Sequence, residues 1–343
     1  MIRFGTVDFG EKERNAIMDL MSIADPMLTL GARVHEFERK FAGWIGSKYA
    51  VMVNSGTSAL ITAILAYDEP VLATAALTYC ATWNAIKLAN KMLILQDVGN
   101  DFVVHNGKVP CVAVHLLGKP CRAFNGIEDT SEALGSKIRN KKLGTFAALG
   151  TFSFYVAHII TTVEGGMVVT DSKELYEKCL SIRDNGRICV CPECSLKTTG
   201  KCLKRLGFNQ IERRWMTRGL GFNFKPTEFQ GVLGLVKMDK IDWICGRRHE
   251  IYKIYEEEFH SLPEEPDEFI VPLAYPVQVS DPRQVLARLE VAGIEARGMF
   301  PAYSQKFKNA YRISQSYILL PNHQNLSDEN VKYIIECVRV CQK

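Results

Sequence analysis

A short apolar run, KYAVMV, ends at the polar turn Asn54-Ser55-Gly56-Thr57 and leads directly into a second apolar run, SALITAILA. The first run has the length of a buried strand, and the second reads as an apolar helix. Strand, tight turn and helix in direct succession form the repeating unit of a doubly wound α/β sheet. More strand-length apolar runs follow at PVLATAA, MLILQDV, PCVAVHLLG and GMVVTD. Since such runs are typical of buried parallel strands, the pattern predicts an α/β fold with a mostly parallel sheet.

The same pattern divides the 343 residues into two predicted domains, which is the number expected for this length. Residues 1–245 form the large α/β domain. A long helix, IDWICGRRHEIYKIYEEEFHSL, leads into residues 246–343, where strand-like and helical segments indicate a small C-terminal α+β domain. Its last helix is predicted to begin after the N-cap Ser327 and to bury one stripe of side chains, namely Val331, Ile334, Ile335 and Val338.

Charge and hydropathy exclude several classes of protein. Lys and Arg total 42 against 38 Asp and Glu, a net charge of +4 that does not indicate nucleic-acid binding. No apolar run is long enough to span a bilayer. The first residues, MIRFGTVDFGEKERN, lack the apolar core of a signal peptide. We therefore expect a cytoplasmic protein without membrane or nucleic-acid partners.

The chain has eleven cysteines, which fall into two groups. In a cytosolic chain of this length a disulfide framework is not expected. Seven are scattered in apolar surroundings and are predicted to be buried hydrophobes, namely Cys80, Cys111, Cys121, Cys179, Cys245, Cys337 and Cys341. The other four, at positions 189, 191, 194 and 202, lie within 14 residues, and scatter does not explain that spacing.

Three separate segments each carry a residue suited to one cofactor, although each has an ordinary structural explanation. Ser55-Gly56-Thr57 could hold a phosphate at a helix N-terminus, or simply cap the helix. Asp129 could pair with a pyridinium nitrogen and make that ring an electron sink, or be a solvated loop acid. Tyr79 could stack on the ring, or belong to the core.

A fourth segment, TFSFYVAHIITTVEGGMVVTD at residues 151–171, gives these residues a common explanation. It resembles the DegT/DnrJ/EryC1/StrS family of pyridoxal-phosphate-dependent sugar aminotransferases, which have fold type I. The resemblance implies that Ser153 binds the cofactor phosphate and that Glu164-Gly165-Gly166 forms the family's glycine turn.

Other segments resemble the family at the same time. NSGTSAL matches the phosphate loop, which implies Ser55, Gly56 and Thr57, and VHLLGKP is similar to a family strand. Tyr79 matches the ring-stacking aromatic residue, and IEDTSEALGS matches the loop that implies Asp129 and Glu132 as cofactor-binding residues. GFNFKPTEFQGVLG resembles a segment whose asparagine, here Asn223, reaches the phosphate of the neighbouring subunit. The resemblance therefore implies a homodimer.

The sequence departs from the family pattern at the lysine that holds the cofactor covalently, where this chain has His158. Without an amine the cofactor cannot be attached there, but a histidine can carry protons near neutral pH. FYVAHIIT resembles the family's nucleotide-sugar 3-dehydratases. This implies a pyridoxamine or pyridoxal phosphate enzyme that removes the C3 hydroxyl of a nucleotide-diphospho-4-keto-6-deoxyhexose, with His158 catalytic. The alternative is a retired enzyme with a core histidine.

The cysteine cluster has the spacing Cys189-x-Cys191-x2-Cys194-x7-Cys202, which suits a 2Fe–2S cluster, a structural zinc or free thiols. RDNGRICVC resembles the iron–sulfur branch of these dehydratases, which implies a flavin and iron–sulfur reductase as partner. That branch takes one ligand from the position of Ser131. Nearby basic residues could dock an acidic electron donor or steer a nucleotide diphosphate, or form a solvated loop, and they are Lys197, Lys201, Lys204, Arg205, Arg213 and Arg214.

Two alternatives remain open on the sequence. One is a sugar aminotransferase or a glutamate-coupled 3-dehydratase with a structural zinc. The other is a non-enzymatic, zinc-bearing binding protein.

Overall fold

The structure is a computed structural model that describes residues 1–191, 201–202, 204–206 and 210–342. Cys194 and Lys197 lie outside the described residues. Within these ranges no helix combines the length and the apolar character that crossing a membrane requires.

Helices and strands alternate through the predicted large domain. The helices of the chain are α1 (Glu11–Ser22), α2 (Ala32–Ile45), α3 (Gly56–Ala66), α4 (Cys80–Leu88), α5 (Lys173–Arg183), α6 (Glu228–Met238), α7 (Ile241–Phe259), α8 (Pro282–Val291), α9 (Lys308–Ser316) and α10 (Asp328–Gln342). The strands are β1 (Tyr49–Val53), β2 (Val71–Ala75), β3 (Met92–Gln96), β4 (Cys111–Val114), β5 (Gly126–Asp129), β6 (Lys137–Ile138), β7 (Lys141–Lys142), β8 (Leu149–Ser153), β9 (Gly166–Thr170), β10 (Glu268–Phe269), β11 (Ala274–Gln278), β12 (Arg297–Gly298) and β13 (Tyr317–Pro321).

In the described part of the chain, seven strands form the central sheet in the order β1-β9-β8-β5-β4-β2-β3. The strands from β8 to β3 in that order run parallel, whereas β9 is antiparallel to both of its neighbours. The predicted mostly parallel α/β sheet is therefore confirmed. Because the parallel strands end at the same edge, the residues that follow them come together there.

Each apolar run that was predicted to be a strand contains one, but the burial of β3 was predicted wrongly. Met92 is 65% exposed and Ile94 is 36% exposed, because β3 lies at the edge of the sheet with a single neighbour. An edge strand has the same apolar composition as a central one here, so composition alone did not separate the two.

Beyond α7, three strands form a small antiparallel sheet in the order β11-β13-β12. The predicted start of α10 is confirmed, since the Ser327 hydroxyl accepts a hydrogen bond from the Asn330 N–H at 3.2 Å. The four side chains of its predicted stripe are all buried. The N-terminal segment also contacts this part, because Ile2 pairs with Ile294.

Most of the scattered cysteines lie where they were predicted. The buried ones are Cys111, Cys121, Cys179 and Cys245, and Cys337 and Cys341 are partly buried against the core. Cys80 is exposed, contrary to the prediction. It is the first residue of α4 and follows the exposed Tyr79, so its side chain lies at a helix end rather than inside the sheet packing.

Candidate functional site

A cavity of about 500 Å³ lies where the parallel strands end and the small antiparallel sheet packs against them. It brings together eight of the nine organic-site residues expected from the sequence, namely Ser55, Gly56, Thr57, Tyr79, Asp129, Glu132, Ser153 and His158. Asn223 does not line it. A larger surface groove of about 870 Å³, between Asn100 and Gln342, is lined by none of these residues.

One end of the cavity is built for an anion. Ser55 caps α3, and its hydroxyl oxygen accepts the Ser58 N–H at 3.1 Å. Gly56 passes so close to β8 that a Cβ there would lie 2.6 Å from the Ser153 hydroxyl oxygen. A Cβ on Gly166 would likewise collide with the Ser55 carbonyl. The two glycines thus let hydroxyl groups and the amides of a helix N-terminus converge, which is the arrangement that binds phosphate.

Asp129 ends β5 with its carboxylate buried in the cavity wall. The Thr82 hydroxyl donates to it at 3.1 Å, and Ser131 donates through its hydroxyl at 2.7 Å and its N–H at 3.2 Å. Burial raises the pKa of Asp129 above its usual value, and these hydrogen bonds oppose the rise. A cationic ring nitrogen placed beside this carboxylate would stabilise its charged form.

A buried polar brace, which sequence analysis missed, fixes the end of β5 from behind. The Glu128 carboxylate accepts backbone N–H groups of Gly144, Phe146 and Ala147 at 2.6–2.8 Å. It also accepts the His115 Nε2–H at 3.0 Å. The proton of the neutral His115 ring lies on Nε2, because Nδ1 accepts the Cys121 N–H. The brace holds the chain next to Asp129 in one position.

Glu132 faces the cavity with a carboxyl group close to half-ionised at neutral pH. Burial raises its pKa to about 7, and the nearby Asp129 charge adds to the rise. The Oε2 atom of Glu132 accepts the Leu117 N–H at 3.0 Å. This hydrogen bond anchors the turn after β4. Glu132 can therefore present either a donor or an acceptor to a bound ring.

His158 lies in the connection between β8 and β9, in a turn closed by its N–H donating to the Tyr155 carbonyl at 2.9 Å. The Tyr155 ring packs edge-on against the imidazole at 5.8 Å. Burial lowers the pKa of His158 to about 4; a hydrogen bond with the Ser153 backbone opposes this and the Arg248 charge adds to it. Its Nδ1 is buried and has no partner among the described residues. At neutral pH the imidazole is thus an uncharged proton acceptor.

Aromatic rings and an arginine lie at the mouth of the cavity. Tyr79 is 59% exposed, and its ring centre lies 6.1 Å from that of Phe300. Arg297 of β12 also lines the cavity. Arg297 was not among the site residues expected from the sequence, although it is the single arginine of the segment GIEARGMF.

Asn223 lies outside this cavity and is exposed. Its backbone pairs with Asp184, and the next residue, Phe224, accepts the Asn54 N–H at 3.0 Å. Asn223 therefore sits on the surface directly beside the chain that forms the phosphate loop.

Of the four clustered cysteines, Cys189 and Cys202 are half-buried and Cys191 is exposed. Burial raises the pKa of the Cys191 thiol, and the adjacent Cys189 thiol adds to the rise. Within the described residues, no group of three or more His, Cys, Asp or Glu side chains forms a metal site. Because Cys194 lies outside the described residues, the ligand set expected from the sequence stays a prediction.

The fold and the cavity define an α/β enzyme with the architecture of fold-type-I pyridoxal phosphate enzymes. The model of the DegT/DnrJ/EryC1/StrS aminotransferase family matches residues 9–339, and the chain belongs to that family. It is 31% identical over 350 residues to a GDP-perosamine synthase of Escherichia coli O157:H7, covering 90% of each chain. It is 29% identical to a GDP-4-keto-6-deoxy-D-mannose 3-dehydratase of Yersinia pseudotuberculosis, covering 74% of this chain and 70% of that protein.

Solved structures show the same fold. An aminotransferase of Helicobacter pylori involved in pseudaminic acid biosynthesis superposes with a TM-score of 0.83 at 25% identity, with 99% of each chain covered. The E. coli GDP-4-keto-6-deoxy-D-mannose-3-dehydratase with bound hydrated pyridoxal phosphate has a TM-score of 0.84 at 23% identity, with 98% of this chain and 99% of that chain covered. The family contains both aminotransferases and dehydratases, so the residues of the cavity have to separate them.

Proposed function

We propose that this protein is a 3-dehydratase that uses pyridoxamine phosphate to remove the C3 hydroxyl of a nucleotide-linked 4-keto-6-deoxyhexose. The observation that carries the proposal is His158. It is an uncharged imidazole with a pKa of about 4 and a buried, unpartnered Nδ1, and it faces the cavity that holds Asp129 and Ser153. No lysine is found among the described residues that line this cavity.

The residues present fit the cofactor. Ser55, Thr57 and Ser153 surround the N-terminus of α3 and suit its phosphate. Tyr79 offers an exposed ring at the mouth for stacking on its pyridine. When bound, the cofactor supplies an amine for the sugar carbonyl and a ring that accepts electrons.

The chain's own residues then hold and move protons. Asp129 keeps a proton on the ring nitrogen, because a buried carboxylate is stabilised by an adjacent positive charge. His158 accepts a proton at the free imidazole nitrogen and can return it when the hydroxyl group leaves. Glu132, with a pKa of about 7, can donate a hydrogen bond to a ring oxygen.

The absence of a lysine from the described residues that line the cavity separates this proposal from transamination. An aminotransferase of this family uses a lysine both to hold the cofactor and to carry the proton. The dehydratase of Yersinia pseudotuberculosis among the relatives supports a dehydration within the same family, and a nucleotide-linked 4-keto-6-deoxy sugar is the substrate class that its name gives.

The experiment that tests the function combines the state of the cofactor with the product. The purified protein, loaded with the cofactor aldehyde and treated with borohydride, is expected to release all of the cofactor on dialysis under denaturing conditions. His158→Lys is the matched control and is expected to retain it covalently. The pyridoxamine-loaded wild type should release water from a nucleotide-4-keto-6-deoxyhexose, measured as loss of the C3 hydroxyl by mass spectrometry. Covalent retention by the wild type, or transfer of the amine to C4 with the hydroxyl intact, would establish an aminotransferase instead.

We further propose that Cys189, Cys191, Cys194 and Cys202 hold a 2Fe–2S cluster that passes electrons from a reductase to the dehydrated sugar. The adjacency of Cys189 and Cys191 supports this, and the Ser131 hydroxyl is engaged with Asp129 rather than offered to a metal. Cys194 is therefore assigned as the fourth ligand in the sequence motif.

Anaerobic purification with metal analysis and an absorption spectrum tests the cluster. Iron bound by thiolates is coloured and paramagnetic when reduced, whereas zinc is neither. Cys189→Ser is expected to bleach the protein and stop reductase-coupled turnover while sparing the dehydration step, and Ser131→Ala should keep the colour. If the protein is colourless and holds one zinc per chain, the cluster proposal is wrong. The result would then favour a glutamate-coupled dehydratase.

We propose that the working form is a homodimer. Asn223 is exposed beside the phosphate loop and lies outside the cavity of its own chain. These features suit a residue that completes the site of a second copy.

A further inference from the structure

Arg297 is the one lysine or arginine among the described residues that line the cavity. The same described residues include three acids, namely Asp129, Glu132 and Glu164. A ligand that carries two or more negative charges would be repelled by these carboxylates unless a cation offsets them. Arg297 comes from β12, on the small antiparallel sheet, whereas the phosphate-binding hydroxyls belong to the large sheet. It is therefore available for a second anion, distinct from the cofactor phosphate.

The guanidinium of Arg297 is held in place before any ligand binds. Its central carbon lies 4.2 Å from the ring centre of Phe4, and Phe4 is only 4% exposed. Phe4 is fixed in turn because its N–H donates to Glu295 at 3.1 Å, and because Ile2 pairs with the backbone around Ile294. A cation stacked on a fixed ring loses less side-chain freedom when it binds a ligand.

The hydrogen-bonding capacity of Arg297 exceeds its present use. One guanidinium nitrogen donates to Glu295 at 3.3 Å, and this is the acid paired with Arg297 among the described residues. A guanidinium has five N–H donors in a planar fork. The side chain is 51% exposed, so donors remain for a carboxylate or phosphate at the cavity mouth.

We propose that Arg297, stacked on Phe4, binds the oxyanion of the ligand that enters next to the cofactor. The inference rests on the proposed function and names a specificity-determining residue for it. The shared chemistry is a bidentate oxyanion, which the diphosphate of a nucleotide sugar and the carboxylate of an amino-acid amine donor both provide. Glu295 competes with that oxyanion for the same guanidinium and limits its affinity.

The test measures binding to the full chain loaded with pyridoxamine phosphate, by calorimetry, with two kinds of probe. One arm uses the nucleoside diphosphates GDP, UDP and CDP, and the other uses L-glutamate. Arg297→Gln is expected to weaken the recognised probe at least about tenfold, the loss typical of a charge-assisted bidentate pair. Glu295→Gln is expected to tighten it about two- to fivefold, because the competing charge is removed. The Kd of pyridoxamine phosphate itself should change less than about twofold in both variants, as Arg297 does not touch its phosphate site.

Arg283→Gln is the matched control, since Arg283 is an exposed arginine of the same domain that does not line the cavity. A loss confined to the nucleotide arm identifies the diphosphate as the oxyanion, and a loss confined to the glutamate arm identifies the carboxylate. Wild-type affinity of Arg297→Gln for every probe overturns the proposal. So does an equal loss in Arg283→Gln, or a loaded wild type that binds none of the probes. The cofactor-trapping experiment does not involve Arg297, so the proposed function can fail or stand independently.

Discussion

At the scale of single residues, the proposed chemistry depends on His158, which replaces the expected lysine. We predict that His158→Asn retains pyridoxamine phosphate and loses at least about 100-fold in the rate of dehydration, the usual effect of removing a general acid–base group. Cofactor binding should persist because the phosphate and ring contacts belong to other residues. Single-turnover dehydration and cofactor fluorescence measure the two effects. His105→Asn, an exposed histidine paired with Asp101, should be unaffected. Dehydration at the normal rate in His158→Asn would mean that another group carries the proton.

A second residue-scale prediction concerns His323, which lies just beyond β13. Burial, assisted by the Arg248 charge, lowers the pKa of His323 to about 4. Its Nε2 is hydrogen-bonded with the Arg3 carbonyl, and its Nδ1 is buried without a partner in the described chain. An unfolded histidine titrates near pH 6.5. Between pH 6.5 and 4 the unfolded chain therefore binds a proton that the folded chain does not, and stability falls as the pH is lowered through this window.

The free energy of unfolding is expected to decrease from pH 7 to pH 5. We predict that this decrease is about 1–2 kcal/mol smaller in His323→Gln than in the wild type. Denaturant unfolding at the two pH values measures this difference. His105→Asn serves again as the control, because it replaces a histidine at an exposed position. A parallel pH dependence in His323→Gln and wild type would show that the buried imidazole does not contribute.

At the scale of elements, the turn between β8 and β9 carries strain next to the site. Val163 has φ +72°, in the left-handed region, where a β-branched side chain costs about 1–3 kcal/mol. Its side chain is 51% exposed, so little packing is lost when it is removed. We predict that Val163→Gly raises the free energy of unfolding by about 0.5–1 kcal/mol, since relief of strain exceeds the added entropy of the unfolded glycine.

Thermal unfolding measures this effect, and Val340→Gly provides the opposite case. Val340 is 67% exposed and lies in the right-handed helix α10, where glycine should lower the free energy of unfolding by about 0.5–1 kcal/mol. Equal destabilisation by both changes would show that the turn holds no strain at Val163.

The elements also show what the sequence could and could not predict. Each apolar run predicted the strand that lies within it, because burial on both faces requires continuous apolar residues. The exposure of β3 was missed because its position at the edge depends on which strands pair, which a run does not encode. The resemblance of separated motifs to one family identified eight residues that line the cavity. It did not identify the pair His115 and Glu128. Their pairing across β4 and β5 depends on sheet register, and neither residue forms a local pattern with the other.

At the scale of the whole molecule, the proposed homodimer would make each site depend on residues of two chains. Each cavity carries its own His158, whereas Asn223 lies on the surface outside it. If two copies associate about a two-fold axis, each Asn223 can enter the partner's site, so that one active site takes residues from both chains.

We predict that His158→Asn and Asn223→Ala are each inactive alone. Activity should return when the two proteins are mixed, unfolded and refolded together. In a mixed dimer one site receives His158 from the Asn223→Ala chain and Asn223 from the His158→Asn chain, and it is intact, while the other site carries both defects. Random pairing makes about half of the dimers mixed, each with one intact site, so activity should reach about a quarter of the wild-type value. Single-turnover dehydration of the mixture, compared with each variant refolded alone, measures the recovery, and a double variant refolded with wild type gives the reference for mixing. If the mixture is as inactive as its components, Asn223 acts in the site of its own chain or does not belong to the site.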